Sequence, residues 1–258
     1  MRSWLRERRR SRFQALPFPR EWREIIERTV PIYHRLNATD RAELCGHIRV
    51  LLREKRFEGG AGLEITDEIR VTIAAFACVL LLHRKTDYYP RLYAIIVYPG
   101  AYVAERSERG AFGVITERPE ARLGESSTRG VVVLAWDAVR EASSNAGGCR
   151  NVVYHEFAHQ LDAEDGAVEG APILPDRSRY DAWARILGRE YARLRYESSR
   201  GRQTTLDRYG ATSPAEFFAV ATECFFTQPG LLKADHPELY DELQNYYCQD
   251  PIERWQPV

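Results

Sequence analysis

The segment VVYHEFAHQLD, residues 152–162, follows a glycine-rich loop and carries the pattern H-E-x-x-H. Its apolar residues recur at helical spacing, which predicts a helix with an apolar back and a polar front. On such a helix, His155 and His159 are one turn apart on the same face. Two neutral imidazoles placed in this way can bind one metal ion at roughly 2.0–2.1 Å.

Glu156 lies beside the first histidine, where its carboxylate can reach a water at the metal without binding the metal itself. Two histidines, a neighbouring general base and an open position are typical of zinc peptidases. The alternative is an ordinary half-buried helix, but two imidazoles and a carboxylate in one buried stripe would be costly without a partner. The motif therefore predicts a zinc-dependent metallopeptidase in which Glu156 is the general base.

A third metal ligand is needed, and the sequence offers two candidates. Asp165 lies six residues after His159, where the metzincin pattern places its third ligand. That pattern also requires glycine at the position of Asp162 and a methionine turn, whereas the only methionine is Met1. Glu216, on a later predicted helix, would give the gluzincin set of two histidines and one glutamate. The residues favour Glu216 and leave Asp165 as the alternative.

Two further carboxylates fall close to these positions along the chain. Glu223 is seven residues after Glu216 and shares its helical face, and Asp162 is three residues after His159. Either side chain could accept a hydrogen bond from a ligand histidine and fix its tautomer. Either could equally be a polar residue at a helix edge, so the sequence leaves both roles open.

Helical patterns lie on both sides of a strand-rich middle. The predicted helices are 20–30, 40–57, 67–83, 152–162, 179–196, 214–226 and 237–248, and the predicted strands are 93–99, 110–116 and 131–137. Thr39 and Ser213 are the predicted N-caps of two of these helices. We predict an α+β protein with a small mixed sheet enclosed by helices. A helical N-terminal subdomain, 1–90, is expected to pack on a catalytic domain, 91–258, as one compact unit.

Composition narrows the classes of partner. The 258 residues include 37 Lys+Arg and 37 Asp+Glu, and this zero net charge disfavours a protein built to coat nucleic acid. An arginine-rich start, residues 2–12, could contact nucleic acid or lipid, or simply be solvated or frayed. The longest apolar run, residues 71–82, is too short to span a bilayer. Five cysteines, an odd number, predict free thiols in a reducing cytoplasm.

Longer stretches carry a family resemblance. HEFAHQLDAEDG, residues 155–166, and YGATSPAEFFAVATECFF, residues 209–226, resemble the Mlc titration factor A family of bacterial zinc peptidases. Further blocks follow the family's order, so that the likeness covers nearly the whole chain from about residue 17. These blocks are KRFEGGAGLEITDEIRVTIAAFACVLLL, YAIIVYPGAYV, VVVLAWDAVR and PELYDELQNYYCQDP.

The resemblance implies a zincin-like, gluzincin-type catalytic domain similar to that of anthrax lethal factor. It implies one Zn²⁺ per chain held by His155, His159 and Glu216, with Glu156 as base, and it points to Tyr209 as a second catalytic side chain. The expected activity is aminopeptidase-like hydrolysis of a peptide or protein substrate. The family's namesake also binds the transcriptional repressor Mlc. The alternative function is therefore a regulatory protein that sequesters a repressor, with hydrolysis secondary.

The predicted sheet also offers a way to hold substrate. An extended peptide can add as a further strand to an exposed sheet edge. The sequence predicts that strand 131–136 or strand 110–116 is this edge.

Overall fold

Helices surround a small sheet in this protein. The computed structural model describes residues 2–109, 115–122, 124–127, 130–144, 148–174 and 176–254. In these ranges the α-helices are α1 (Arg2–Gln14), α2 (Arg20–Thr29), α3 (Ala38–Glu54), α4 (Asp67–Val79), α5 (Trp136–Ser143), α6 (Val152–Asp162), α7 (Tyr180–Ser199), α8 (Pro214–Thr227), α9 (Pro229–Asp235), α10 (Pro237–Tyr247) and α11 (Pro251–Arg254). The strands are β1 (Arg56–Gly59), β2 (Ala94–Tyr98), β3 (Tyr102–Arg109), β4 (Ile115–Arg122), β5 (Gly124–Ser127) and β6 (Val131–Ala135). The α+β prediction is confirmed.

Four strands form the main sheet in the order β1-β2-β6-β5. The first three strands are parallel, with Ala94 paired to Arg56 on one side and to Val131 on the other. β5 runs antiparallel to β6 at the edge, and this confirms the prediction of a small mixed sheet. β3 and β4 form a separate antiparallel pair.

The prediction that residues 131–136 form an exposed edge is wrong, because β6 lies between β2 and β5. The strand actually at that edge, β5, has the sequence GESS and lacks the β-branched pattern of a predicted strand. The other predicted edge strand is 110–116. Residues 110–114 lie outside the described part of the chain, and residues 115 and 116 begin β4. The third predicted strand is also shorter than expected, since α5 begins at Trp136.

The helix predictions hold best where capping signals and periodicity agree. α6 has the bounds that the sequence predicts. The hydroxyl of Ser213 accepts a hydrogen bond from the backbone N–H of Glu216 at 3.2 Å, as expected of an N-cap. The cap of α3 is Asn37 and not Thr39, because the Asn37 carbonyl oxygen accepts from the Asp40 N–H at 2.9 Å. Asn37 is a strong capping residue two positions earlier.

One cluster of buried side chains connects the helices to the sheet. Twelve of the 14 residues of α8 are buried, so this helix runs through the middle of the molecule. α4 packs against α6, where the rings of Phe76 and Tyr154 lie 5.5 Å apart in an edge-to-face contact. β1, from the first ninety residues, pairs with β2 of the remainder. The subdomain boundary at residue 90 stays a prediction.

The arginine-rich start is a helix that packs on α3. Arg10 is only 8% exposed, and its guanidinium donates to Glu54 at 2.7 and 2.9 Å and to Asp87 at 2.6 Å. A buried cation with two carboxylate partners fixes the helix in place, so the interpretation of this segment as a frayed end is wrong. Across the described ranges, no helix is both long enough and apolar enough to cross a bilayer.

The prediction that the cysteines are free thiols is wrong for two of them. Cys149 and Cys224 form a disulfide that joins the segment before α6 to the last turn of α8. Cys45 and Cys78 are buried free thiols, and Cys248 is an exposed one. The two paired residues are 75 positions apart, and no sequence spacing indicates that they meet.

Candidate metal centre

The start of α6 is fixed by its cap and by α8. The Asn151 side-chain oxygen accepts from the backbone N–H groups of Val153 at 3.0 Å and Tyr154 at 3.1 Å. The backbone N–H of Asn151 donates to Glu223 Oε2 at 2.6 Å. These bonds satisfy donors that a helix start leaves open and tie α6 to α8. The histidines of α6 are therefore presented to α8 in a fixed orientation.

His155, His159 and Glu216 meet between α6 and α8. Glu216 Oε2 lies 3.0 Å from His155 Nε2 and 3.3 Å from His159 Nε2. Each residue offers one ligand atom, and the three atoms lie within 4.8 Å of one another. Two ligands that each lie 2.0–2.1 Å from a tetrahedral metal ion are about 3.3–3.4 Å apart. The donor set and its spacing therefore fit a small tetrahedral cation.

The charges of these groups depend on one another. For His155, burial alone lowers the pKa, but the carboxylates of Glu223 and Glu216 outweigh this and raise it well above its usual value. For Glu216, burial alone raises the pKa, but hydrogen bonds from His155 and His159 outweigh this and lower it well below its usual value. The carboxylate of Glu216 is consequently ionised over the physiological pH range and carries the negative charge that a cation needs.

Glu223 lies behind the first histidine. Its Oε1 is 2.7 Å from His155 Nδ1, while its Oε2 accepts from Asn151 as described above. A carboxylate at Nδ1 leaves Nε2 as the nitrogen that faces a metal. Of the two roles that the sequence leaves open for Glu223, the structure favours the one that holds a histidine ring.

Two other carboxylates that follow the motif, those of Asp162 and Asp165, bind backbone groups. Asp162 accepts from the backbone N–H groups of Gly170 at 2.8 Å and Ala171 at 2.9 Å. Nδ1 of His159 is buried and has no hydrogen-bond partner among the described residues, so the interpretation of Asp162 as the acceptor for this ring is wrong. Asp165 is exposed and accepts from the Ala167 N–H at 2.9 Å. Of the two candidate third ligands, only Glu216 lies with the histidines.

Glu156 is buried on α6, 4% exposed, and it lies against the edge strand β5. A Cβ atom added at Gly124 would overlap Glu156 Oε1 and would lie 2.7 Å from Cγ2 of Val152. Glycine is therefore required at this position for β5 to approach α6 so closely. Burial raises the pKa of Glu156 to about 7. A carboxylate with this pKa can gain and lose a proton near neutral pH.

Tyr209 borders the site from a 3₁₀ segment, Arg208–Ala211. Its ring centroid lies 6.0 Å from that of His155, and its hydroxyl donates to Glu216 Oε1 at 3.4 Å. Asp207 caps this segment by accepting from the Tyr209 backbone N–H at 2.9 Å. Arg150, just before α6, donates to Asp207 at 2.8 Å. The Arg150–Asp207 ion pair therefore links Tyr209 to the start of α6.

Gly124, Arg150 and Asp207 are among the residues that shape the site and that the sequence analysis did not predict. The signal for Gly124 is weak but present, since an isolated glycine in a strand indicates a close backbone approach. Asp207 precedes the tyrosine by two residues, which is the spacing of a side-chain cap. Arg150 offers no such signal, because its partner is 57 residues away.

A second group of possible ligands lies in the N-terminal helices. His83 Nε2 is 3.0 Å from Asp40 Oδ1, and Glu43 Oε1 accepts from the His83 backbone N–H at 2.9 Å. Asp40 also accepts from Asn37 at 3.1 Å, and Glu43 lies 3.2 Å from the His47 ring. Because the protein itself supplies these hydrogen bonds, they account for the cluster without a metal ion.

The chain is similar to known proteins over most of its length. The family model described as "Glucose-regulated metallo-peptidase M90" matches residues 3–248. An uncharacterized protein of Synechocystis sp. is 39% identical over 250 residues, covering 96% of this chain and 90% of that protein. Mlc titration factor A of Edwardsiella ictaluri is 30% identical over 228 residues, covering 87% and 86%. The protein of the same name from Klebsiella pneumoniae (strain 342) is 28% identical over 236 residues, covering 90% and 87%.

The match extends over nearly the whole chain and includes both α6 and α8. It confirms the resemblance that the H-E-x-x-H stretch and the stretch after Tyr209 indicate. The chain belongs to the glucose-regulated metallo-peptidase M90 family and is a metallopeptidase.

Proposed function

We propose that this protein is a zinc-dependent, aminopeptidase-like peptidase whose metal ligands are His155, His159 and Glu216. The observation that carries the proposal is the meeting of two imidazole nitrogens and one carboxylate oxygen at 3.0 and 3.3 Å. Two histidines and a glutamate are the ligand set of one class of catalytic zinc sites, which keep a position open for water or substrate.

When bound, zinc would supply an activated water and a Lewis acid for the scissile carbonyl. In our proposal Glu156 takes a proton from the attacking water and passes it to the leaving amine. The burial of Glu156 supports this role, because a pKa of about 7 balances proton uptake against proton release. Glu223 holds the His155 ring so that Nε2 faces the ligand cluster.

The edge strand β5 is our candidate for substrate alignment. One side of β5 pairs with β6, and Gly124 at its start lies against Glu156. A peptide that added to the other side of β5 would form backbone hydrogen bonds next to the general base. This role replaces the one that the sequence assigned to 131–136.

Metal analysis and peptide digestion test the proposal together. We expect one zinc per chain and loss of hydrolysis on chelation. Metal binding requires neutral imidazoles, so occupancy is expected to fall in acid, where protons compete with the metal for the ligand nitrogens. A library of peptides with free and acetylated N-termini distinguishes the modes of cleavage, since an aminopeptidase requires the free amine. Metal-free protein that cleaves at the full rate contradicts the proposal.

The hydroxyl of Tyr209 is proposed to donate to the oxyanion that develops during attack. We expect Tyr209→Phe to retain zinc and to lower kcat on the order of 10²-fold with little change in KM, because the lost donor acts only in the transition state. Steady-state kinetics with a fluorogenic peptide measure this split. Tyr196→Phe on α7 is the matched control, since Tyr196 is 51% exposed and Tyr209 is 53% exposed. A change confined to KM would instead assign Tyr209 to substrate binding.

A second function is suggested by the relatives named Mlc titration factor A, which this chain matches over about nine-tenths of its length. By analogy, the protein would bind a cytoplasmic transcriptional repressor of the Mlc type, with hydrolysis secondary. Binding assays with the purified repressor and with metal-loaded or metal-free protein test this role. Binding that persists without metal or hydrolysis would favour the regulatory function.

A further inference from the structure

A cavity of about 690 Å³ that is open to solvent on one side lies among the N-terminal helices, away from the residues of the metal centre. It is bordered by the end of α1, by the chain between α1 and α2, by α2, and by α3 as far as Arg49. Leu16, Phe18 and Leu36 give it apolar walls, and no carboxylate is among the described residues that line it. A cavity of this volume suits a small organic molecule.

Three arginines line the same cavity, namely Arg23, Arg41 and Arg49. Arg23 donates to the Tyr33 hydroxyl at 3.1 Å, and Arg41 donates to the carbonyl oxygens of Tyr33 at 3.1 Å and His34 at 2.8 Å. These acceptors are neutral. Throughout the part of the chain that the structure describes, none of the three guanidiniums has a carboxylate within salt-bridge distance. Arg10 of α1 shows the opposite case, with two carboxylate partners.

Arg49 is the least satisfied of the three. Its Nε is buried and finds no hydrogen-bond acceptor among the described residues. Its guanidinium carbon lies 5.6 Å from the centroid of the Phe18 ring, and that of Arg23 lies 5.9 Å from the same ring. Burial lowers the pKa of Arg49, as expected where no anion offsets the cost of burying a cation. Two cations beside one ring repel each other until an anion joins them.

We propose that this cavity binds a small ligand that joins an oxyanion group, phosphate or carboxylate, to an apolar body. Guanidinium groups bind both oxyanions through paired charge-assisted hydrogen bonds. The arginines would hold the anionic end, and Leu16, Phe18 and Leu36 would cover the apolar end. The proposal is independent of the peptidase function, because none of the residues that line the cavity belongs to the metal centre.

Isothermal titration of the full chain with phenyl phosphate tests the site. Arg49→Gln removes the unpaired guanidinium, and we expect it to raise the Kd about 10- to 100-fold, which is the usual loss for one charge-assisted hydrogen-bond partner. Arg53→Gln is the matched control. Arg53 is one turn further along α3, where its guanidinium lies 5.6 Å from the Phe13 ring centroid and does not line the cavity. We expect this variant to bind like the wild type.

Other probes identify the chemistry of the ligand. Benzoate in place of phenyl phosphate distinguishes a carboxylate site from a phosphate site, and inorganic phosphate measures what the apolar body adds. Phenol, which lacks the oxyanion, is expected not to bind. Thermal melts check the fold of both variants, and Arg49→Gln is expected to melt close to the wild type because Arg49 makes no ion pair with any described residue. The proposal fails if neither anion binds the wild type below about 10 mM, or if Arg49→Gln and Arg53→Gln bind them equally.

Discussion

Glu156→Gln is expected to abolish peptide hydrolysis while leaving the protein folded and metal-loaded. The amide has nearly the same shape as the carboxylic acid and leaves no cavity, but it cannot accept the proton of the attacking water. Loss of a general base costs about 10²- to 10⁴-fold in rate. Because burial already raises the pKa of Glu156 to about 7, the folded protein tolerates an uncharged group at this position. Single-turnover digestion with a metal assay on the same sample measures both properties.

Glu242→Gln is the control, because it changes another buried glutamate that lies outside the proposed site. Glu242 is 6% exposed and accepts from Arg179, the residue just before α7, so its loss should affect stability more than rate. If Glu156→Gln cleaves peptides at the wild-type rate with full metal occupancy, Glu156 is not the base. If both variants lose activity in proportion to their melting temperatures, the loss reports stability and not chemistry.

Glu216→Ala is expected to lower zinc affinity by orders of magnitude. It leaves two protein ligands where a catalytic site uses three, and it removes the anion that offsets the charge of the cation. Competition with a chromophoric chelator measures the affinity of each variant. Thermal melts of the metal-free proteins show whether the fold survives, and α8 retains its cap because Ser213 accepts from the backbone of residue 216.

Asp165→Ala is the paired measurement, because Asp165 is the alternative third ligand. The structure places Asp165 at the surface in a turn that follows α6, with Ala167 as its hydrogen-bond partner. We expect this variant to bind zinc like the wild type. Tight zinc binding by Glu216→Ala, together with loss of zinc from Asp165→Ala, would reverse the assignment.

The helix that carries the histidines could be predicted from sequence because all of its determinants are local. Its apolar periodicity, the glycine-rich loop before it and its H-E-x-x-H motif lie within a few residues of one another, and α6 has the predicted bounds. The start of α8 could also be predicted, since serine at the cap followed by proline marks a helix start. Residue type and spacing also restricted the third ligand to two candidates. The missing metzincin glycine and methionine turn favoured Glu216 over Asp165, and the packing of α8 on α6 brings Glu216 to the histidines.

The features that sequence analysis missed depend on partners distant along the chain. β5 is a strand because it pairs with β6, and its four residues carry no strand pattern of their own. The Cys149–Cys224 disulfide and the Arg150–Asp207 pair each join segments that are more than fifty residues apart. The arginines of the N-terminal cavity likewise meet only after α2 and α3 have both packed on α4. Periodicity contains no information about such contacts.

The parallel sheet has a consequence for the order in which the molecule folds. Ala94 pairs with Arg56 and with Val131, so each parallel pairing closes a long loop before it gains any contact. Non-local pairings of this kind form slowly, whereas helices such as α6 and α8 form from local contacts. α6 packs on β5 and β6 as well as on α8, so the final position of its histidines depends on the sheet as well as on α8. We therefore expect metal uptake to be a late event in folding, one that affects the stability of the finished molecule more than the speed of its formation.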